Sequence, residues 1–177
     1  MKFASQDPGK SRSLRHSEPI ILFSVANQMF AIAADAVQEI RSTDSLAGAA
    51  VALDQQELSK VRHMVERGRH TYFIVNAGRH FGLPVSRPTL VLIMRQLRVG
   101  VLVDRIERME EILAVHPLPR AFTGEERRWY RGLTYLDDHV IPVISPSGFL
   151  TKDEFQQLDR AATAVTSQRD MEGAVKA

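Results

Sequence analysis

The chain has 177 residues, of which 44% are apolar, 25% are charged and none is cysteine. This composition is typical of a globular domain, and the lack of cysteine excludes thiol nucleophiles, thiol redox centres, iron–sulfur clusters and cysteine-based zinc sites. The pI of about 9.1 invites a nucleic-acid interpretation, but residues 1–18 alone carry a net charge of +2, whereas residues 19–150 hold 15 basic and 14 acidic side chains. The folded part therefore lacks the basic surface that neutralises many phosphates.

The first 18 residues are predicted to be a disordered tail, because they contain few large apolar side chains. They also lack the apolar segment of a signal peptide. The apolar runs of the chain, such as residues 90–94, are far shorter than the roughly 20 residues that cross a bilayer. We therefore expect a cytoplasmic protein.

The next part of the chain is predicted to begin with a β-hairpin, formed by strands at 20–25 and 29–32 around a turn. Asp35 is expected to cap a short helical turn that leads into the segment 37–41. Residues 42–53 are rich in serine, alanine and glycine and indicate a loop.

A helix is predicted over residues 54–65, because the apolar side chains of this segment follow helical spacing. Gly68 is then expected to end that helix as its C′ residue. The chain continues with a strand at 70–75, a break at Ala77–Gly78 and a loop over 81–88.

The second half is predicted to contain five strands, at 89–94, 97–103, 106–115, 133–136 and 139–144. A final helix is predicted at 152–165. Gly100, inside the second of these strands, marks a bend or a close approach of backbone. Asp137–Asp138 favours a tight hairpin turn, and the last dozen residues are expected to fray. Many short strands with few helices predict a mainly β fold of one or two small barrels, closed or nearly so.

A search for reactive groups predicts no catalytic site, no cofactor and no metal centre. The sequence contains no glycine-rich phosphate loop, and no two of its six histidines have the spacing of a helical zinc site. His63 and His70 flank Arg67–Gly68. We expect these two histidines to be ordinary surface or partly buried residues rather than ligands. Asp137–Asp138 is interpreted as a turn rather than an acid–base pair. We therefore expect a binding or scaffolding module rather than an enzyme.

Several segments, in order and at matching spacings, resemble the CheW family of chemotaxis coupling proteins. The first hairpin is followed by Val37-Gln38-Glu39-Ile40, similar to the family's V-x-E-I element, and Arg67-Gly68 resembles its R-G dipeptide. The segment 99–104 resembles the family's strand with an internal glycine, and 131–144 resembles its closing hairpin. The resemblance divides the chain into a tail at 1–18, a CheW-like domain at 19–150, and a C-terminal helix with a frayed end at 151–177.

The resemblance implies two small five-stranded β-barrel subdomains that share a hydrophobic core, with a short C-terminal helix. It implies a non-catalytic adaptor that joins the cytoplasmic tip of a methyl-accepting chemoreceptor to the regulatory domain of a CheA-type histidine kinase. Carried over by motif, the receptor-binding residues are Val37, Glu39, Ile40 and Arg67, and the structural glycines are Gly68, Gly100 and Gly132. Direct binding of nucleic acid and insertion into the membrane are not expected.

A structural interpretation of the same residues stands beside the functional one. Val37 and Ile40 also suit a core, and Glu39 also suits a structural ion pair with Arg67. The chain departs from the family pattern at Val65-Glu66, where Asn-Leu is common before Arg-Gly. Glu66 beside Arg67 is expected to change the local charge of a receptor groove. This departure implies either that the receptor is divergent or that the protein serves another pathway.

Three other functions remain as alternatives. One is a coupling protein for a non-flagellar chemosensory pathway, such as type IV pilus motility, which the same fold would serve. Another is an RNA-binding β-barrel that stacks bases on Trp129, Tyr130 and Tyr135, although packing in a core or interface is favoured for these rings. The last is an enzyme acting on a small ligand through a site that the motifs do not reveal.

Overall fold

The computed structural model describes residues 17–47, 49–53 and 58–175. Its strands are β1 (Glu18–Val25), β2 (Gln28–Ala33), β3 (Val37–Ser42), β4 (Ala50–Ala52), β5 (Val61–Arg67), β6 (His70–Asn76), β7 (Leu90–Met94), β8 (Val99–Val103), β9 (Arg105–Ile112), β10 (Tyr130–Leu136) and β11 (His139–Ile144). Its helices are α1 (Ala77–His80), α2 (Glu126–Trp129) and α3 (Lys152–Val175). The predicted mainly β fold with a C-terminal helix is confirmed.

The strands form two sheets, which confirms the expected pair of β subdomains. One sheet has five strands in the order β10-β11-β2-β1-β9, and the other has six in the order β3-β7-β8-β6-β5-β4. The expected five-stranded barrels, closed or nearly so, differ in detail from the structure: β4 adds a sixth strand to one sheet, and within the described residues neither sheet closes through a strand ladder. A bridge between His116 and Leu133 spans part of the gap in the five-stranded sheet.

Alternation of side chains along the strands sorts the apolar residues into three clusters. On β1, Ile20 and Leu22 point into a small cluster inside the five-stranded sheet, whereas Ile21 and Phe23 point into the largest cluster. That largest cluster also takes residues from the six-stranded sheet, such as Phe73, and is therefore the predicted shared core. A third cluster fills the six-stranded sheet and consists of Leu46, Val65, Ile74, Val91 and Ile93.

Two hairpin turns lie where the sequence predicts them. Ala26 and Asn27 connect β1 to β2 with φ of 49° and 64°, and Asp137 and Asp138 connect β10 to β11 with φ of 48° and 63°. Two consecutive residues with positive φ match the twist of the flanking strands, and asparagine and aspartate tolerate that backbone better than most residues. The acidic pair therefore has a backbone role as a turn.

The predicted helix at 54–65 is wrong where the structure describes it, because Val61–Arg67 is strand β5. A register shift between Val61 and His63 interrupts the alternation of side chains in this strand. Val61 and Met64 therefore both face the shared core, while Val65 is buried in the cluster on the opposite face of the sheet. The spacing of these three buried residues imitates one face of a helix. Gly68 does not end a helix; it lies in the β5–β6 hairpin with a φ of 61°. Residues 54–57 lie outside the described residues.

Other local differences concern the ends of elements. The loop expected at 42–53 contains the short strand β4 and a 3-10 turn at Thr43–Leu46. Asp35 lies within the 3-10 turn Ala34–Ala36, whose N-cap is Ala33, and its side chain makes no capping hydrogen bond. The break expected at Ala77–Gly78 is the start of α1, where Asn76 Oδ1 accepts a hydrogen bond from the Arg79 amide at 3.0 Å.

The two ends of the chain differ in what the structure describes. Glu18, assigned to the tail from the sequence, is the first residue of β1 and forms an ion pair with Arg131. Of the rest of the predicted tail, Ser17 is described and residues 1–16 lie outside the described residues. The C-terminal helix continues to Val175, ten residues beyond the predicted end at Val165, so the expected fraying is not seen over most of the last dozen residues.

Helix α3 packs on the shared core. Its predicted apolar face is confirmed, since Leu158 and Ala162 are buried and Phe155 packs against the cluster. The helix begins with a capping box in which the Thr151 amide donates to Glu154 and the Glu154 amide donates to Thr151 Oγ1. In the part of the chain that the structure describes, no helix is long and apolar enough to cross a membrane.

His80 lies buried among aromatic rings and is predicted to make stability depend on pH. Burial, and then the charge of Lys60, lower its pKa from 6.5 to about 4, while Glu154 opposes this shift. Between these two values the unfolded chain binds more protons than the folded chain. Stability should therefore fall as the pH is lowered from 6.5 towards 4, by up to about 3 kcal/mol from this group.

Urea unfolding at pH 7 and pH 4.5 measures this effect. In a His80→Phe variant, which keeps a ring at this position, the loss of stability between the two pH values should be smaller than in the wild type. An equal loss in both proteins would show that His80 does not carry the dependence.

Candidate functional site

The V-x-E-I residues lie on β3, an edge strand of the six-stranded sheet that pairs with β7. A register shift between Val37 and Glu39 interrupts the alternation of their side chains. Val37 is buried in the shared core, as the structural interpretation holds, whereas 41% of Ile40 is exposed. Of the two aliphatic residues, Ile40 is therefore the one that a partner can reach.

Glu39 lies between two arginines. Its Oε2 is 2.9 Å from Arg67 Nη1, and its Oε1 accepts a hydrogen bond from Arg41 Nε at 2.5 Å. Hydrogen bonds from Arg41 first and then Arg67 lower the pKa of this carboxyl. The ion pair joins β3 to β5, two strands that are not neighbours in the sheet. The structure therefore brings together the two charged residues that the sequence placed 28 positions apart.

These charged side chains remain open to solvent. Glu39 and Arg67 are each 32% exposed, and Arg41 is exposed to a similar extent. The Arg67 guanidinium lies 6.0 Å from the centre of the Tyr72 ring, close enough for a cation–π contact. We call Glu39, Ile40, Arg41 and Arg67 the Glu39 cluster. It carries one negative and two positive charges on one face of the sheet, and the accessible side chain of Ile40 lies on the opposite face of the same edge strand. This combination is suited to contact with another protein that covers the edge of β3.

Glu66 does not join this cluster. Adjacent residues of a strand point to opposite faces of the sheet, so Glu66 and Arg67 diverge. The Glu66 carboxylate faces helix α3, where Thr166 Oγ1 donates to its Oε1 at 3.4 Å. The expectation that Glu66 changes the local charge around Arg67 is therefore wrong in this geometry.

The three glycines singled out from the sequence each have a backbone reason. Gly68 has a φ of 61° in its hairpin. A Cβ atom on Gly100 would lie 2.8 Å from Ile74 Cδ1, and one on Gly132 would lie 2.3 Å from the carbonyl oxygen of His116. Close packing and turn geometry therefore account for these glycines without any contact to a partner.

Arg41 is the member of the cluster that sequence reasoning did not select. It lies within the quoted segment, two residues after Glu39, and residues i and i+2 of a strand share a face. That spacing was the available signal, but it indicates a shared face only once 37–41 is known to be a strand.

The polar residues considered for chemistry from the sequence do not come together in the described part of the chain. No group of three or more histidine, aspartate or glutamate side chains within them could hold a metal ion. His63 and His70 lie at opposite ends of the β5–β6 hairpin and are not paired with each other in its register. Trp129 and Tyr130 pack in an aromatic cluster with Phe81, and Trp129 also contacts His80. This geometry favours the packing interpretation of those two rings.

Comparisons with known proteins agree with this fold. The family model for the CheW-like domain matches residues 19–154, which is most of the chain. The crystal structure of the scaffolding protein TtCheW from Thermoanaerobacter tengcongensis superposes with a TM-score of 0.65 at 15% sequence identity, covering 77% of this chain and 95% of that one. No curated protein matches the sequence. The chain belongs to the CheW-like domain family, a family of non-catalytic scaffold proteins, and is a chemotaxis coupling adaptor.

Proposed function

We propose that this adaptor joins the cytoplasmic tip of a methyl-accepting chemoreceptor to the regulatory domain of a CheA-type histidine kinase, and that it catalyses no reaction itself. In this proposal the protein works in the cytoplasm, where the receptor tips lie. The observation that carries the receptor contact is the Glu39 cluster, in which a partly exposed ion pair and an exposed Ile40 lie at the edge of one sheet.

The mechanism is scaffolding. A receptor tip that contacts the edge of β3 meets the exposed side chain of Ile40 and the charges of Arg41 and Arg67. A kinase domain bound on another surface is then held in a fixed position relative to the receptor. The adaptor transmits a signal only if its contacts favour one state of the kinase over the other, because equal affinity for both states shifts no population.

Removing the charge of Glu39 is expected to weaken receptor binding. In Glu39→Gln both arginines lose their anionic partner, and in Arg67→Gln the pair loses the cation that joins the two strands. Each variant should reduce sedimentation with membranes containing a receptor by several-fold, which corresponds to about 1 kcal/mol. The measurement uses receptor membranes with and without the kinase, together with thermal unfolding of each variant.

Arg120→Gln serves as a matched control, because Arg120 is exposed and lies outside the Glu39 cluster. An exposed ion pair contributes at most about 1 kcal/mol to stability, so both variants should keep most of their thermal stability. If binding falls only in proportion to lost stability, Glu39 and Arg67 form a purely structural pair. If both variants sediment as the wild type does, the receptor site lies elsewhere.

A further inference from the structure

A second polar site lies away from the Glu39 cluster, at the base of helix α3. It is a cleft of about 390 Å³, within the usual size of small-molecule sites. Connections from both sheets meet there, since its walls come from the turn before β5, from α1 and α2, from the 3-10 turn at Pro146–Gly148 and from the first turn of α3.

The cleft is positively charged. Lys60, Arg79, Arg128 and Lys152 line it, against the carboxylates of Glu125 and Glu154. Glu154 is already neutralised, because its Oε1 lies 2.7 Å from Lys60 Nζ. Among the described residues, the side chains of Arg79, Arg128 and Lys152 form no ion pair, and the Arg79 guanidinium donates only to the backbone oxygen of Ser59. Three cationic side chains therefore remain with one carboxylate, that of Glu125, and this excess of positive charge favours the binding of an anion.

His80 gives the cleft an unsatisfied polar group. The side chain lines the cleft but is only 6% exposed, and its Nε2 has no hydrogen-bond partner among the described residues. A buried polar atom without a partner costs free energy, which a ligand or a water held by that ligand would recover. The ring packs against Trp129, whose ring centre lies 4.6 Å away and which forms part of the same wall.

The wall that carries Arg128 and Trp129 is held tightly in place. A Cβ atom on Gly148 would lie 2.4 Å from the carbonyl oxygen of Arg128, so only glycine allows this approach. The Ser145 amide also donates to the carbonyl oxygen of Trp129 at 2.9 Å. The aromatic ring and the guanidinium are therefore presented from a fixed backbone, which reduces the entropy lost on binding.

We propose that this cleft binds a small organic anion, one that carries a phosphate or carboxylate group beside a flat ring. Arg128 and Lys152 pair with the anionic group, Arg79 adds its charge, and the ring packs on Trp129. This ligand site is independent of the receptor contact, since its residues do not overlap with the Glu39 cluster.

Trp129 makes the proposal directly measurable, because it is the single tryptophan of the chain. Its fluorescence is followed during titration with phenyl phosphate or with benzoate, at constant ionic strength. A saturable change with either anion supports the site, and the tighter of the two identifies the preferred group. Benzyl alcohol, a ring without charge, should bind more weakly than both.

Charge removal at the cleft gives the decisive comparison. The double variant Arg128→Gln, Lys152→Gln should bind the better anion about tenfold more weakly or worse, since it loses two charged partners. Arg127→Gln, a neighbouring exposed arginine that does not line the cleft, should bind as the wild type does. The proposal is overturned if neither anion gives a saturable change, if the double variant keeps wild-type affinity, or if benzyl alcohol binds equally well.

Discussion

Replacing Gly132 with alanine is expected to lower the free energy of unfolding by about 3 kcal/mol, the upper part of the range for overpacking. The added Cβ would lie 2.3 Å from the carbonyl oxygen of His116 and 2.5 Å from Val115 Cγ1. The nearest atom belongs to backbone, which cannot rotate aside. The chain at 115–116 would have to move and would strain the two hydrogen bonds between His116 and Leu133, of 2.7 and 2.9 Å, that span the gap in the five-stranded sheet.

Urea unfolding followed by circular dichroism tests this expectation, with Gly124→Ala as the matched substitution. Nothing lies within 4 Å of a Cβ atom on Gly124, and its φ of 69° adds only the cost of the left-handed backbone, about 1–2 kcal/mol. Gly132→Ala should therefore be the more destabilising of the two. If Gly132→Ala loses no more stability than Gly124→Ala does, the 115–116 segment moves aside without a large energetic cost.

Truncating Leu158 is expected to destabilise the whole domain by about 3 kcal/mol, as is usual for a fully buried leucine. This side chain is 0% exposed and belongs to the shared core, although it lies beyond residue 154, where the match to the family model ends. Leu158→Ala should therefore lower the midpoint of the main unfolding transition, since helix and sheets share one core.

Leu113→Ala removes the same atoms from an exposed position, since Leu113 is 65% exposed, and should change stability by no more than about 0.5 kcal/mol. If Leu158→Ala leaves the main transition unchanged and produces a separate, earlier loss of helical signal, α3 unfolds on its own. That result would contradict a common core for the helix and the two sheets.

Most strands could be predicted from short-range patterns. The run at Leu90–Met94 is apolar throughout because both of its faces are covered, and the turns at Ala26–Asn27 and Asp137–Asp138 lie between alternating or apolar segments. β5 could not be predicted in this way. A register shift and the cover on both faces of that strand together bury side chains at helical spacing, and only the pairing with β6 and β4 identifies it as extended.

The candidate site was predictable residue by residue but not as an arrangement. The motif resemblance selected Glu39 and Arg67, and a structural ion pair was one of the two interpretations considered. Whether Glu66 also joined them depended on the face to which β5 directs each side chain. Arg41 became part of the cluster only once β3 was known to place it beside the carboxylate.

The sequence by itself determined the class of the fold, its hairpins and the near-neutral charge of the folded part, because these follow from local patterns of apolar residues, turn residues and charge. It also indicated the family, through the resemblance of an ordered series of motifs. The tertiary structure decided the course of β5, the ion pair between Glu39 and Arg67, the burial of α3 and the charged cleft at its base. Each of these depends on contacts between residues far apart in the chain, such as Lys60 with Glu154. No local pattern contains that information, since the folding of the intervening chain brings such residues together.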